Sequence, residues 1–419
     1  MNFRVVHDNI HGSFYLHKLL WTIIDTPIFQ RLRHIKQTGN TCFVYPCANH
    51  TRFEHSLAVS KLCGTFMESL RTKLHYTDDK LDLITNKDIL LMQIAGLCHD
   101  LGHCCFSHLF DGIVMPHFDP VAKFHHEQAS CLLLMKLYKD LRSDFAEFDI
   151  DESDINTVCK IIFGSPQKTP ESMKDAIIWT DDDFKRKFML EILANEHNGI
   201  DIDKFDYLKR DCHYIGITTG FDAQRLMEFA YIDLDEPGYP LKYGSKANEI
   251  IKQMWDARSE LHRRVYQHRV VKCYDAMISK ALILAGDDIE FNGVKLKNIH
   301  KDMLAYINVT DEILTIIKFW SKSSSSNLEA AQEIIHKIEN RQHWHSLFTV
   351  TSPVKFTELG VEIDPDLQYI DCLISGVYTT FFFTENSLSE QQQTSIKLTL
   401  NQLSNNIQCQ KLEIRDLFD

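Results

Sequence analysis

Gln93-Ile94-Ala95-Gly96-Leu97-Cys98-His99-Asp100-Leu101-Gly102-His103 runs from an apolar helical stretch directly into an adjacent His and Asp, and then another His. An apolar helix has no packing reason to deliver three ionisable groups so close together, whereas a metal ion or a phosphate ester would give one. A lone His-Asp pair is more often a satisfied core hydrogen bond, so the reading turns on partners elsewhere in the chain. Arg52-Phe53-Glu54-His55-Ser56 supplies a His upstream, and Asn198-Gly199-Ile200-Asp201-Ile202-Asp203-Lys204 an Asp downstream. His55, His99, Asp100 and Asp203 together make a mixed imidazole and carboxylate set, which suits a first-row transition ion with positions left for water and substrate. A structural zinc site would more often be closed and rich in Cys.

The neighbouring sequence adds polar groups with helical spacing. After Gly102 come His103, His108, Asp111, His126 and Glu127. Imidazoles can protonate a leaving alkoxide, and a carboxylate behind one fixes its tautomer; surface histidines in a loop are the bland alternative. Asp203, Tyr207 and Asp211 share one helix face with Lys204 beside it, as a polar ligand or a buried hydrogen-bond network would require. Residues 247–285 read as one long helical stretch, in which Arg258, His262 and Tyr266 follow at i, i+4 intervals. Two cations and an aromatic on one stripe suit a polyphosphate followed by a sugar or base, or an acidic neighbouring helix. Gln30 and Arg33 lie i, i+3, with Asp25 just ahead of their helix, and a solvated helix face explains them equally well from composition.

The order His…His-Asp…Asp resembles the HD phosphohydrolase superfamily. The flanking segments resemble the eukaryotic SAM-and-HD-domain deoxynucleoside triphosphate triphosphohydrolases: Asp8-Asn9-Ile10-His11-Gly12, Phe29-Gln30-Arg31-Leu32-Arg33, Phe106-Ser107-His108, His126-Glu127-Gln128, and Leu261-His262-Arg263-Arg264-Val265-Tyr266-Gln267-His268. The likeness runs from about residue 4 to about residue 290 and is weaker beyond. It implies a mainly α fold, with an HD-domain helical core over 1–290 and a small C-terminal α+β lobe over 291–419 serving oligomerisation or regulation. It also implies metal-dependent hydrolysis of dNTP to deoxynucleoside and triphosphate. The resemblance makes His55, His99, Asp100 and Asp203 ligands of a divalent ion (Fe, Zn, Mn or Mg), with Mg accompanying the nucleotide phosphates. His103, His108, Asp111, His126 and Glu127 become the catalytic group. Arg52, Lys204, Tyr207, Arg258, His262 and Tyr266 become phosphate and substrate contacts, and Gln37 with Asp211 holds the sugar hydroxyl beside Thr38.

The same resemblance implies GTP or dNTP activators bound by Arg4, Val5, Asp25, Gln30, Arg33, Val44, Arg225, Phe229, Lys246, His268 and Arg269, and a homo-oligomer from dimer to tetramer. Departures from the family pattern are Thr38 in place of an apolar sugar gate, Gln332 and His336 in place of a basic pair, and Gly244 in place of an Arg. They lead to the expectation that catalysis is kept while effector dependence weakens and ribonucleotide rejection loosens. The family's SAM module is expected to be missing, because the core motifs begin within ten residues of Met1.

The 419 residues carry a net charge of −13, which argues against a surface devoted to nucleic acid and disfavours single-stranded nucleic acid as a partner. No signal peptide and no apolar run long enough to span a bilayer is found, so an intracellular place, nucleus or cytoplasm, is expected. The 12 cysteines form no CxxC pair, which fits reduced, buried thiols. After Ser321-Lys322-Ser323-Ser324-Ser325-Ser326, read as a linker, the runs Phe348 to Phe356 and Tyr369 to Phe383 read as antiparallel strands. A generic HD phosphodiesterase or nucleotidase acting on monophosphates shares the metal site, but has no use for the Lys204, Tyr207, Arg258 and His262 cluster. A nucleotide-sensing relative would not need the full catalytic set.

Overall fold

A computed structural model describes residues 3–77, 83–322, 325–352, 368–374, 377–385, 389, 396 and 411–413. Ser323, Ser324 and the 353–356 end of the first strand run lie outside the described residues. The fold is mainly helical, as the family resemblance implies, and its sheets are small and antiparallel. The chain divides into two compact units, one formed by Met1–His262 with Phe291–Val294 and Asn298–Ile313, the other by the remainder.

In the first unit the helices Arg52–Thr77 and Asn86–Cys98 make its most extensive pairing. Gly96 allows their closeness: a Cβ there would stand 2.9 Å from Cys63 Sγ and 3.1 Å from the Val59 carbonyl. A capping box between Thr85 and Asp88 starts the second of these helices, and the apolar run Ile89 to Leu97 buries nearly every turn. Cys63, Cys98 and Cys131 are buried and free. Asp201 caps the helix Ile202–Ile215 by accepting from the Lys204 N–H, and Gly216, left-handed at φ 79°, ends it. The helix His126–Asp140 lies against the turn after Asp100, where Ser130 Oγ accepts from Gly102 N and donates to His99 O. The chain opens with a hairpin, Phe3–Asp8 paired to Gly12–His17.

The expected single helix over 247–285 is in fact two. Asn248–Leu261 passes into a π-helical turn, His262–Tyr266, and a new helix, Arg269–Leu284, starts with the His268 ring accepting from Val270 N. Repeated apolar spacing alone does not reveal a π turn, because one extra residue is absorbed without breaking the stripe.

In the second unit Arg269–Leu284 packs on Ser326–Glu339 and on a four-stranded sheet. Its strand order is Lys411–Glu413, His345–Ser352, Val377–Thr384, Gln368–Ile374, all antiparallel. Phe381, Phe382 and Phe383 are buried there. Gln332 donates its amide to the carbonyls of Ile317, Lys318 and Trp320, closing the end of the helix Ile313–Phe319.

Candidate active site

All four expected ligands meet in the first unit. His55 stands in the first turn of Arg52–Thr77, His99 and Asp100 follow Cys98 at the end of the partner helix, and Asp203 sits in the first turn of Ile202–Ile215. His55 Nε2 lies 3.1 Å from Asp203 Oδ1 and 3.5 Å from Asp100 Oδ2. His99 Nε2 lies 3.4 Å from Asp100 Oδ1 and 3.5 Å from Asp203 Oδ1.

Each imidazole is anchored from behind. His99 Nδ1 is held at 2.9 Å by the Gly96 carbonyl, and its buried Nε2 has no hydrogen-bond partner among the described residues. His55 Nδ1 is held at 2.7 Å by Asp206, which leaves Nε2 facing the carboxylates. Burial disfavours charge on His55, but hydrogen bonds to Asp203 and Asp206 raise its pKa to about 10. Burial likewise works against the Asp203 carboxylate, and His55 and His99 hold its pKa below the usual range. Two anchored nitrogens and two ionised carboxylates at this separation fit a divalent cation by donor type and by the orphaned His99 nitrogen.

A second group forms beside the first. His103 stacks on His126 at 3.9 Å between ring centroids, and His108 stands edge-on to both. In the fold Asp111 hydrogen-bonds His126 at 2.7 Å, while His108 Nδ1 is 3.8 Å away and its side chain is 71% exposed. Burial pushes the His126 pKa down, but Glu127, Asp111 and Asp100 raise it to about 9. His126 therefore holds a proton at neutral pH. Glu127 is also approached by Lys168, at 3.9 Å.

Around these groups Arg52 is buried and shared, donating to Asp100, to Ser107 Oγ at 3.0 Å and to the Gln37 carbonyl at 3.2 Å. Gln37 Oε1 and Thr38 Oγ1 are buried with no partner among the described residues. Tyr207 hydrogen-bonds Arg258, whose Nε is buried without a partner among the described residues, and Lys204 Nζ reaches Asp201 at 2.8 Å. Asp211 accepts from His50 at 2.7 Å. His262 lies in the first unit; Tyr266, His268 and Arg269 belong to the second.

Of the expected effector residues, Arg4 pairs with Asp25 at 2.8 Å on the surface, and Gln30 bridges the Ile24 carbonyl and Arg33. Val5, next along the strand, is exposed, and Val44 is half-buried. Arg225 lies over the Phe229 ring, and Gly244 N donates to the Phe229 carbonyl ahead of Lys246; a Cβ at 244 would meet that carbonyl oxygen at an ordinary 3.7 Å.

Sequence reasoning passed over the supporting residues His50, Asp206, His11, Arg210 and Arg31. Arg31 is buried and donates to the carbonyls of Leu101 and His103, fixing the turn between the ligands and His103. Asp311 accepts from Phe106 N at 2.6 Å and Lys36 N at 2.9 Å, bracing a loop in which Phe106 and Ser107 have φ of 58° and 55°. Asp206 and Arg210 are signalled by a charged group in an otherwise apolar helical register, and His11 and Arg31 by lying in segments that carry the family resemblance.

The family model for the HD domain matches residues 52–211. The chain is 40% identical over 352 residues to the deoxynucleoside triphosphate triphosphohydrolase SAMHD1 of Bos taurus, covering 81% of this chain and 57% of that protein. It is 36% identical over 338 residues to the Dictyostelium discoideum SAMHD1 homolog (81% and 59%), and 32% over 310 residues to a putative HD domain-containing protein of Acanthamoeba polyphaga mimivirus (72% and 61%). The chain thus spans 57 to 61% of the length of these curated relatives. No helix among the described residues is long and apolar enough to cross a membrane.

Proposed function

We infer function from the premise that residues 52–211 of this chain belong to the HD-domain family, and we propose that the protein is a metal-dependent dNTP triphosphohydrolase. It would cleave dNTP with water at the α-phosphorus to deoxynucleoside and triphosphate, as its relatives are named for doing. The observation that carries this reading is the adjacency of the two groups: His55, His99, Asp100 and Asp203 on one side, and on the other His103, 3.3 Å from Asp100 and stacked on the proton-holding His126 that Asp111 accepts from. When bound at His55, His99, Asp100 and Asp203, a divalent ion such as Fe, Zn, Mn or Mg supplies water activation and offsets charge on the phosphoryl oxygens.

The chain's own residues do the rest. Arg258, Tyr207 and Lys204 hold the phosphate tail, and Gln37 with Asp211 takes the sugar hydroxyl. His126, kept charged by Asp111 and Glu127, is the proton reservoir. The exposed His108, edge-on to it, hands the proton to the leaving 5′-oxygen. The test compares dNTP with the corresponding monophosphate in the Mn2+-loaded enzyme. Preference for dNTP, lost in Arg258→Ala, supports the reading; cleavage of the monophosphate alone overturns it in favour of a nucleotidase.

The Arg4, Asp25, Gln30 and Arg33 patch serves a GTP or dNTP effector, and the C-terminal lobe serves assembly into dimers or tetramers. Effector dependence is weakened here, because Gln332 is already committed to helix carbonyls and Gly244 offers no cation. Tetramer formation requiring GTP and dNTP as strictly as in a relative carrying the basic residues would contradict this.

A further inference from the structure

The metal ligand His55 is held by a buried network that reaches back to the first turn of the chain. Asp206, fully buried and one helical turn beyond Asp203, takes His55 Nδ1 on Oδ2 at 2.7 Å. Its other oxygen takes His11 Nε2, also at 2.7 Å. Arg210, buried on the next turn, donates to both oxygens at 2.8 and 3.0 Å. Its remaining nitrogen reaches Asp8 Oδ2 at 3.0 Å. Asp8 Oδ1 in turn accepts from the backbone N–H of Ile10 and His11, at 2.9 and 2.8 Å, folding the hairpin turn around the pair.

A carboxylate can only accept, so both imidazole nitrogens that face Asp206 donate. On His55 this keeps a proton on Nδ1, so that Nε2, the atom turned toward Asp100 and Asp203, is the nitrogen a bound ion would take. Arg210 alone could satisfy Asp206 in several rotations. His11 adds a fixed contact from the opposite side, its side chain only 8% exposed. The strand that ends at Asp8 is the one that carries Arg4, and its hairpin turn meets the His55 helix through Asp206.

We propose that Asp206 and His11 are positioning residues of the metal centre, and that the N-terminal hairpin turn is a working part of it, setting how tightly His55 binds the ion. This rests on the metal site proposed above, and the test separates the two. Protein stripped with chelator is titrated with Mn2+, the free ion being counted by electron paramagnetic resonance, and melting is recorded without metal. His11→Ala should weaken Mn2+ binding by about tenfold or more, as loss of a group supporting a ligand does. His11→Gln, which can still donate to Asp206, should restore most of the affinity, whereas the shorter His11→Asn should not. The Gln and Asn comparison decides the matter even if His11→Ala does not fold. Equal Mn2+ affinity in Gln and Asn variants, or an unchanged affinity in His11→Ala with only a lower melting temperature, would overturn the proposal. A His55→Ala control that binds Mn2+ as the wild type does would overturn the metal site itself, and this proposal with it.

Discussion

Gly102→Ala is the smallest change that the active-site geometry should refuse. Gly102 is pinned by its N–H to Ser130 Oγ at 2.8 Å and by its carbonyl to the Tyr306 hydroxyl at 2.7 Å, so it has little freedom to retreat. A Cβ at this position would stand 2.1 Å from the His126 carbonyl oxygen and 2.3 Å from Ser130 N. To restore even a 3.0 Å contact, the start of the helix His126–Asp140 must withdraw by about 0.9 Å. That helix carries His126 and Glu127, while the residues before Gly102 carry His99 and Asp100. The substitution therefore separates the proton-holding group from the metal ligands by about the distance that costs on the order of a hundredfold in turnover. Overpacking itself should cost about 1–3 kcal/mol in urea unfolding. The assay is kcat for dNTP hydrolysis with Mn2+, measured beside the unfolding midpoint. A second change, Ala129→Gly, removes the 2.7 Å side-chain clash but neither backbone clash, and should not rescue. Activity of Gly102→Ala within about threefold of wild type, or rescue by Ala129→Gly, would refute this reasoning.

Other expectations follow from particular contacts. His126, raised to about 9, keeps its proton below that pH and loses it above, so the rate should fall as pH rises through about 9; in Asp111→Asn this basic limb should move to lower pH, and an unmoved limb would remove His126 from the proton path. The ionic stability from the same pair is fully present below the ordinary His pKa and fades toward 9, which pH-dependent melting can check. Asp311→Ala leaves two backbone N–H groups unpaired beneath the Phe106 to His108 loop and should cost about 1–3 kcal/mol in urea unfolding, with loss of turnover. Thr38→Leu should cut ribonucleotide hydrolysis about tenfold more than deoxyribonucleotide hydrolysis, as one apolar pocket contact does; equal effects would take Thr38 out of sugar discrimination.

Much of this was legible before folding because the chemistry is written in short motifs. His99-Asp100 and the helices around it are local, and Asp203 is marked by the cap and face of its own helix. What stayed hidden depends on contacts distant in sequence. His11 meets Asp206, His50 meets Asp211, and Asp311 meets Lys36 and Phe106, and no spacing rule links such pairs. Asp111 stands 3.8 Å from His108, its nearest imidazole in sequence, but its hydrogen bond goes to His126, which no local spacing indicates. The break between Leu261 and Arg269 was masked by the run of helical spacing on either side of the π turn His262–Tyr266.

The most direct test of the central claim is one turnover experiment in heavy-oxygen water, with dNTP and Mn2+. Attack at the α-phosphorus predicts unlabelled deoxynucleoside and intact triphosphate carrying the heavy oxygen, with no product from His55→Ala. Label in the deoxynucleoside, release of monophosphate with pyrophosphate, or full activity in His55→Ala would contradict it.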